Sequence, residues 1–240
     1  MKLQWLALSL FVLLMLVDHF VLWPAFLRRR ALDPRRARRT LWMQWAASLW
    51  ILSGLVLWAS AVDTPPLAPL GLAMPAGWRL WAPAAVIAVI VGLQLDGARR
   101  VARMVGDKAA LRARLGDTAP IMPRDSAELP LWLALSLTAG FCEELLFRGY
   151  LMGALQPFTG PWLAAAIAVV VFGLGHAYQG ASGVVRTGAA GAAFMALFLV
   201  TGSLWPGIVL HAALDFVGGW IGLLILRDEP ACIAIRAGGR

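Results

Sequence analysis

The chain has 240 residues, of which 60% are hydrophobic and only 14% charged, and its mean hydropathy is +0.75. Ordinary soluble domains carry roughly 25% charged residues, so this composition excludes a soluble enzyme, a disordered tail and a disulfide-stapled secreted module, and makes lipid the solvent for much of the chain. The 21 basic and 13 acidic residues leave a net charge of +8, but the basic residues cluster directly after apolar stretches, without aromatic interleaving or zinc-finger spacing, so no nucleic-acid partner is expected.

Seven apolar stretches approach the roughly 20 residues that a membrane crossing needs; they cover about 3–27, 41–62, 80–95, 129–155, 162–178, 187–202 and 204–226. The predicted fold is all-α, a polytopic helical membrane protein with about seven transmembrane helices. The first stretch is too long for a signal peptide, contains Asp18, His19 and Trp23, and runs into arginines without a small-residue cleavage site, so it is expected to stay as an anchor helix. Asp18 and His19 match no motif and read as a local polar break or a helix contact. The third and sixth stretches are the short ones. Between the second and third, residues 63–77 hold Pro65, Pro66, Pro69 and Pro75 and cannot be helical throughout. Residues 98–115 read either as an amphipathic surface helix, with Val101, Met104, Val105 and Leu111 toward lipid, or as a solvated basic loop.

Charge sets the expected orientation. Seven arginines lie between Arg28 and Arg39, seven basic residues between Arg99 and Arg124, and four more at Arg186 and in the tail. Placing all of these in the cytoplasm leaves only Lys2 and Arg79 outside, so the amino terminus is expected outside and the carboxyl terminus inside. Arginine outnumbers lysine 19 to 2, a bias of GC-rich genomes, and the expected location is a bacterial inner membrane. Cys142 and Cys232 form neither a disulfide framework nor a thiolate metal site. Three parts are expected: amino-terminal membrane helices and basic loops over 1–127, a core over 128–226 that holds nearly all the intramembrane ionisable residues, and a cytoplasmic tail over 227–240.

Ionisable side chains cost roughly 2.5 to 3.5 kcal/mol each in a membrane, so each needs a partner and a purpose. The fourth span carries Glu143, Glu144 and Arg148, the fifth ends near Phe172 and His176, and the seventh has His211 and Asp215 on one helical face. Glu144 and Arg148 are four residues apart in the acid-first order that favours an ion pair along a helix. Glu143 points about 100° away from Glu144 and has no cation on its own face. That assigns Glu144 and Arg148 to structure and leaves Glu143, a desolvated carboxylate, suited to taking a proton from water. Depth arithmetic puts Glu143 about 18 to 20 Å and His176 about 21 Å below one membrane face, with Asp215 about 16 Å and His211 about 10 Å down, one or two turns above the first pair. Gly140, Gly149, Gly173, Gly175, Gly188, Gly191, Gly218 and Gly219 lie in or beside these helices, as small residues commonly do in membrane bundles.

In this order, Glu-Glu-x-x-x-Arg, Phe-x-x-x-His and His-x-x-x-Asp, the three segments resemble the intramembrane proteases of the CAAX-protease and bacteriocin-processing family. The resemblance covers about residues 128–220. It implies peptide-bond hydrolysis in the membrane, with Glu143 and His176 activating a water while His211 and Asp215 stabilise the oxyanion or orient the site. The implied partners are the lipid bilayer and a membrane-anchored protein or peptide: a prenylated tail, a bacteriocin precursor or a C-terminal sorting tag. The family pattern has Asn or Asp at position 215; an ionised aspartate offers only acceptors, so Asp215 stays protonated, orients His211 or helps hold a metal. No cofactor is expected, and if a metal is present it is zinc on Glu143, His176 and His211.

Two rival readings are weaker. Gly180, Ala181, Ser182 and Gly183 spell a rhomboid-like Gly-x-Ser-Gly motif, but Ser182 and His211 fall at opposite ends of neighbouring spans. A non-catalytic transporter or scaffold could also keep a buried polar cluster, yet the chain shows no repeated halves.

Overall fold

The computed structural model describes residues 2–62, 70–106 and 108–227, and within these it is helical with no strand. Cys232, Pro65, Pro66 and Pro69 and the tail beyond residue 227 lie outside the described residues. The helices are α1 (Lys2–Val17), α2 (Trp23–Arg30), α3 (Pro34–Val62), α4 (Trp78–Arg103), α5 (Ala109–Leu115), α6 (Leu129–Glu144), α7 (Met152–Thr159), α8 (Pro161–Gly175), α9 (Gly180–Thr201) and α10 (Trp205–Leu226). A π-helical turn, Asp18–Leu22, joins α1 to α2, and another, Leu145–Leu151, joins α6 to α7. Six helical segments are long and apolar enough to cross a membrane, and Pro161–Gly175 is a shorter apolar one. The protein is thus an all-α polytopic membrane protein.

The short span is the fifth, rather than the third or sixth that apolar length suggested. Helix α4 runs on to Arg103 through Gln94, Asp96 and Arg100, because polarity ends an apolar stretch without ending a helix; Asp96 and Arg100 pair four residues apart on it. Helix α9 begins seven residues before Thr187, since Gly180, Ser182 and Gly183 are small and polar but still helical. Helix α8 stops at Gly175, and His176 caps it with φ −102° and ψ 22° before a 3₁₀ turn, Ala177–Gln179.

Prolines and glycines punctuate the bundle. Pro161, Pro130 and Pro206 stand in the first turns of their helices, where no N–H bond is lost. Gly202, at φ +70°, closes α9 with its N–H on the Phe198 carbonyl at 2.8 Å. Asp33 accepts a hydrogen bond from the Arg36 N–H at 2.9 Å and caps α3. A single amphipathic helix over 98–115 does not form. Helix α4 ends at Arg103, Gly106 takes φ +101°, and α5 restarts at Ala109. Lys108, between them, is buried and donates to the Leu224 carbonyl at the end of α10 at 2.8 Å.

Helix α10 packs on α6 and α4, α3 on α6, and α8 on α9. One apolar cluster takes in Ala7, Phe11 and Val56 together with Leu146, Tyr150, Phe172 and Met195. The two arginine-rich connections meet at one end of the bundle: Arg38 pairs with Glu128, Trp42 donates to the Ile121 carbonyl at 3.1 Å, and Trp23 lies against Tyr178 at the start of the α8–α9 turn. The opposite end is closed by 70–73, where the Leu204 N–H donates to Gly71, Ser203 to Ala73 and Trp205 to Leu72.

Candidate functional site

Glu143 and Glu144 come last in α6, just before the π turn. Their side chains diverge as helical geometry requires, and each meets a different set of partners. Glu144 and Arg148 are ion-paired at 2.9 Å, both only 1% exposed. The second Arg148 amino group donates to the Gly191 carbonyl at 2.9 Å, and the guanidinium lies 4.3 Å over the Phe172 ring. A side chain at position 191 would collide with Phe172, its Cβ falling 2.7 Å from the ring, so glycine is what lets α9 approach. Gly140 does the same for α6 against α10, where a Cβ would sit 2.9 Å from the Ile208 carbonyl oxygen.

Phe172 also fixes His176, whose Nδ1 faces the Phe172 carbonyl at 2.8 Å. A carbonyl only accepts, so Nδ1 carries the proton, and in the neutral ring Nε2 holds the lone pair. That Nε2 faces Glu143 Oε2 at 3.9 Å. His211 lies between the two glutamates. Its Nδ1 donates to Glu144 Oε1 at 3.0 Å, while its Nε2 stands 3.8 Å from Glu143 Oε2 and 3.6 Å from Asp215 Oδ2. The ring stacks on Phe194 at 4.9 Å, with 12° between the planes.

The expected gap of one or two turns between His211 and the Glu143–His176 pair is therefore absent. Depth counted from span ends assumes that all helices start level and run parallel; α8 is short and the helix of Glu143 continues as a π turn, which breaks that assumption. Sequence reading also gave Phe194 no role and Gly191 only a general packing one, although they lie three residues apart on one face of α9. Their only signal is that i, i+3 pairing of a small and an aromatic residue.

A cavity of about 300 Å³ adjoins the cluster and is lined by Glu143, His176 and Asp215, by Asp18 and Trp45 from the first helices, and by Tyr178. It also reaches Thr118, Ile121 and Met122, at the basic-loop end of the bundle. Glu143 Oε2 is buried and makes no hydrogen bond. Asp215 is 40% exposed at its side chain, the most open of the four. Ser182 sits in the exposed first turn of α9, while the nitrogens of His211 are turned to carboxylates.

The donor set of two imidazoles and two carboxylates has the chemistry zinc accepts, but ligands of one tetrahedral zinc stand about 3.3 to 3.4 Å apart. The separations here are 3.6 to 3.9 Å, and among the described residues no group of three or more His, Cys, Asp or Glu is set out to hold a metal. Holding the ion would require these side chains to draw inward by a few tenths of an ångström.

Fold and site together define a polytopic membrane protein with a buried carboxylate–imidazole cluster opening into a cavity. Residues 125–217 match the family model described as Rce1-like: Type II CAAX prenyl endopeptidase Rce1-like. This segment, which carries all three motifs, is similar to that family. No curated protein and no solved structure matches the chain.

Proposed function

We propose that the protein is an intramembrane endopeptidase in which Glu143 and His176 activate the attacking water. The observation that carries this reading is Glu143 Oε2, buried without a hydrogen bond beside the cavity and 3.9 Å from the lone-pair nitrogen of His176. That separation is too long for a direct hydrogen bond and suits one water donating to both acceptors. The water oxygen attacks the peptide carbonyl carbon as Glu143 takes one of its protons; the C–N bond then breaks and the proton passes to the departing amine. His211 is held at Nδ1 by Glu144, so when its Nε2 also carries a proton that N–H donates to the developing oxyanion, and Asp215 keeps the ring aimed. Glu144 and Arg148 form the structural pair behind it. In this reading hydrolysis needs no tightly bound metal.

The substrate is a membrane-anchored protein or peptide, with a prenylated tail, a bacteriocin precursor and a C-terminal sorting tag as the candidates. The charge distribution supports a bacterial inner membrane with the amino terminus outside and the carboxyl terminus in the cytoplasm, which puts the cavity mouth on the cytoplasmic side. Reporter fusions after Arg39 and after Arg240 should both report cytoplasm; opposite locations would refute that topology. The function is tested by comparing membrane proteomes of cells with the active protein and with Glu143→Gln. A membrane protein that accumulates uncleaved only with the variant supports the reading and names the substrate, whereas cleavage by purified Glu143→Gln at the normal rate would sink it.

A further inference from the structure

The first membrane span contributes a charged residue to the cavity. It lies outside the segment that matches the family, which begins at residue 125. The span is irregular where it matters: α1 ends at Val17, and Asp18 opens the π turn Asp18–Leu22. A π turn inserts an extra residue and rotates the helix beyond it. Asp18, at the start of the turn, lines the cavity with Glu143, His176 and Asp215, while His19 and Phe20 are exposed.

Asp18 has no cation paired with it among the described residues. Its Oδ1 accepts a hydrogen bond from Trp45 Nε1 at 2.6 Å, and among the described residues Oδ2 has no hydrogen-bond partner and the carboxylate no salt bridge. The Trp45 ring lies 5.2 Å from that of Tyr178, and the Tyr178 ring 5.9 Å from His176, so an aromatic wall runs from Asp18 to the reacting groups. Three carboxylates, Asp18, Glu143 and Asp215, line the cavity with one imidazole, His176; His211 stands beside Glu143 and Asp215, and Arg148 is committed to Glu144, so Asp18 is the lining carboxylate with no ion-pair partner among the described residues. An uncompensated carboxylate is costly in a membrane. A carboxylate held by an indole N–H at the side of a largely apolar cavity is what a long basic side chain needs: the alkyl stem lies on apolar surface and the cation meets the carboxylate.

We propose that Asp18 is a specificity-determining residue that receives a lysine or arginine side chain of the peptide substrate near the bond to be cleaved. This rests on the peptidase reading, and the test separates the two. The Glu143→Gln chain in nanodiscs is titrated with fluorescent single-span peptides that carry one lysine, scanned through successive positions, or norleucine in its place. At one register the lysine peptide should bind at least about tenfold tighter than its norleucine twin, a difference that Asp18→Asn and Asp18→Ser should remove and Asp18→Glu should keep. A lysine preference at no register overturns the proposal whether or not the Asp18 variants fold, and so does a preference that survives in Asp18→Asn or Asp18→Ser. Because binding is read without turnover, a protein that binds lysine peptides but never cleaves would sink only the peptidase reading. Cleavage that depends on Glu143 but ignores peptide charge would sink only the role of Asp18.

Discussion

The amino-terminal helices and the carboxyl-terminal segment each hold a buried ion pair at 2.9 Å, and the two pairs differ in everything around them. Arg38 of α3 reaches both oxygens of Glu128, which also accepts the Arg124 N–H at 2.8 Å, at the end of the bundle where the basic connections meet. It ties the first helices to the start of α6. Glu144 and Arg148 lie within one continuous helix, and Glu144 shares its carboxylate with His211. A buried ion pair therefore does not mark chemistry. What sets the second pair apart is that an imidazole, His211, shares its carboxylate, beside a second carboxylate, Glu143, left without a hydrogen bond.

The largest expected effect is at Glu143. Glu143→Gln keeps shape and removes the base, so turnover in proteoliposomes should fall at least about a hundredfold while the folded yield on size exclusion stays the same; near-normal turnover would dissolve the contrast with Glu144. Next come the two arginines. Removing one partner of a buried pair costs about 3 to 5 kcal/mol, so Arg148→Met and Arg38→Met should both lose stability in detergent melts. Only Arg148→Met should also lower turnover per folded molecule, because only its partner holds His211. Equal losses of turnover in both would erase the distinction.

A smaller effect is expected at Gly191. Gly191→Val forces a side chain onto the Phe172 ring and should cost about 1 to 3 kcal/mol, whereas Gly188→Val, with nothing within 4 Å of the added Cβ, should cost far less. Thermal unfolding of the two side by side decides it. The smallest effects are expected from exhaustive chelation and from Ser182→Ala, both of which should leave turnover unchanged. Stoichiometric zinc whose removal abolishes cleavage and whose return restores it would mean that the 3.6 to 3.9 Å separations close around the ion.

The helical membrane fold was legible because hydropathy sums over whole stretches, and the three motifs were legible because each is local: Glu144 and Arg148, Phe172 and His176, His211 and Asp215 all sit four residues apart. Helix ends were less so. Polar residues close an apolar run without closing a helix, which is why α4 and α9 outrun their stretches. The π turns at Asp18 and Leu145 were invisible, since no sequence period announces a single inserted residue.

By itself, then, the sequence determined that the chain lies in a membrane as helices and that nearly all its intramembrane ionisable residues lie after Leu129, because both follow from composition and short-range spacing. Tertiary structure decided which of those groups touch. It set His211 level with Glu143 and hydrogen-bonded to Glu144, put the Gly191 carbonyl and Phe194 beside them, and turned Asp18 of the first span into the cavity. The physical reason is that contacts between helices depend on tilt, starting level and rotation about each axis. A shift of one residue in any of these redirects a side chain by about 100°, and spacing along the chain does not specify it.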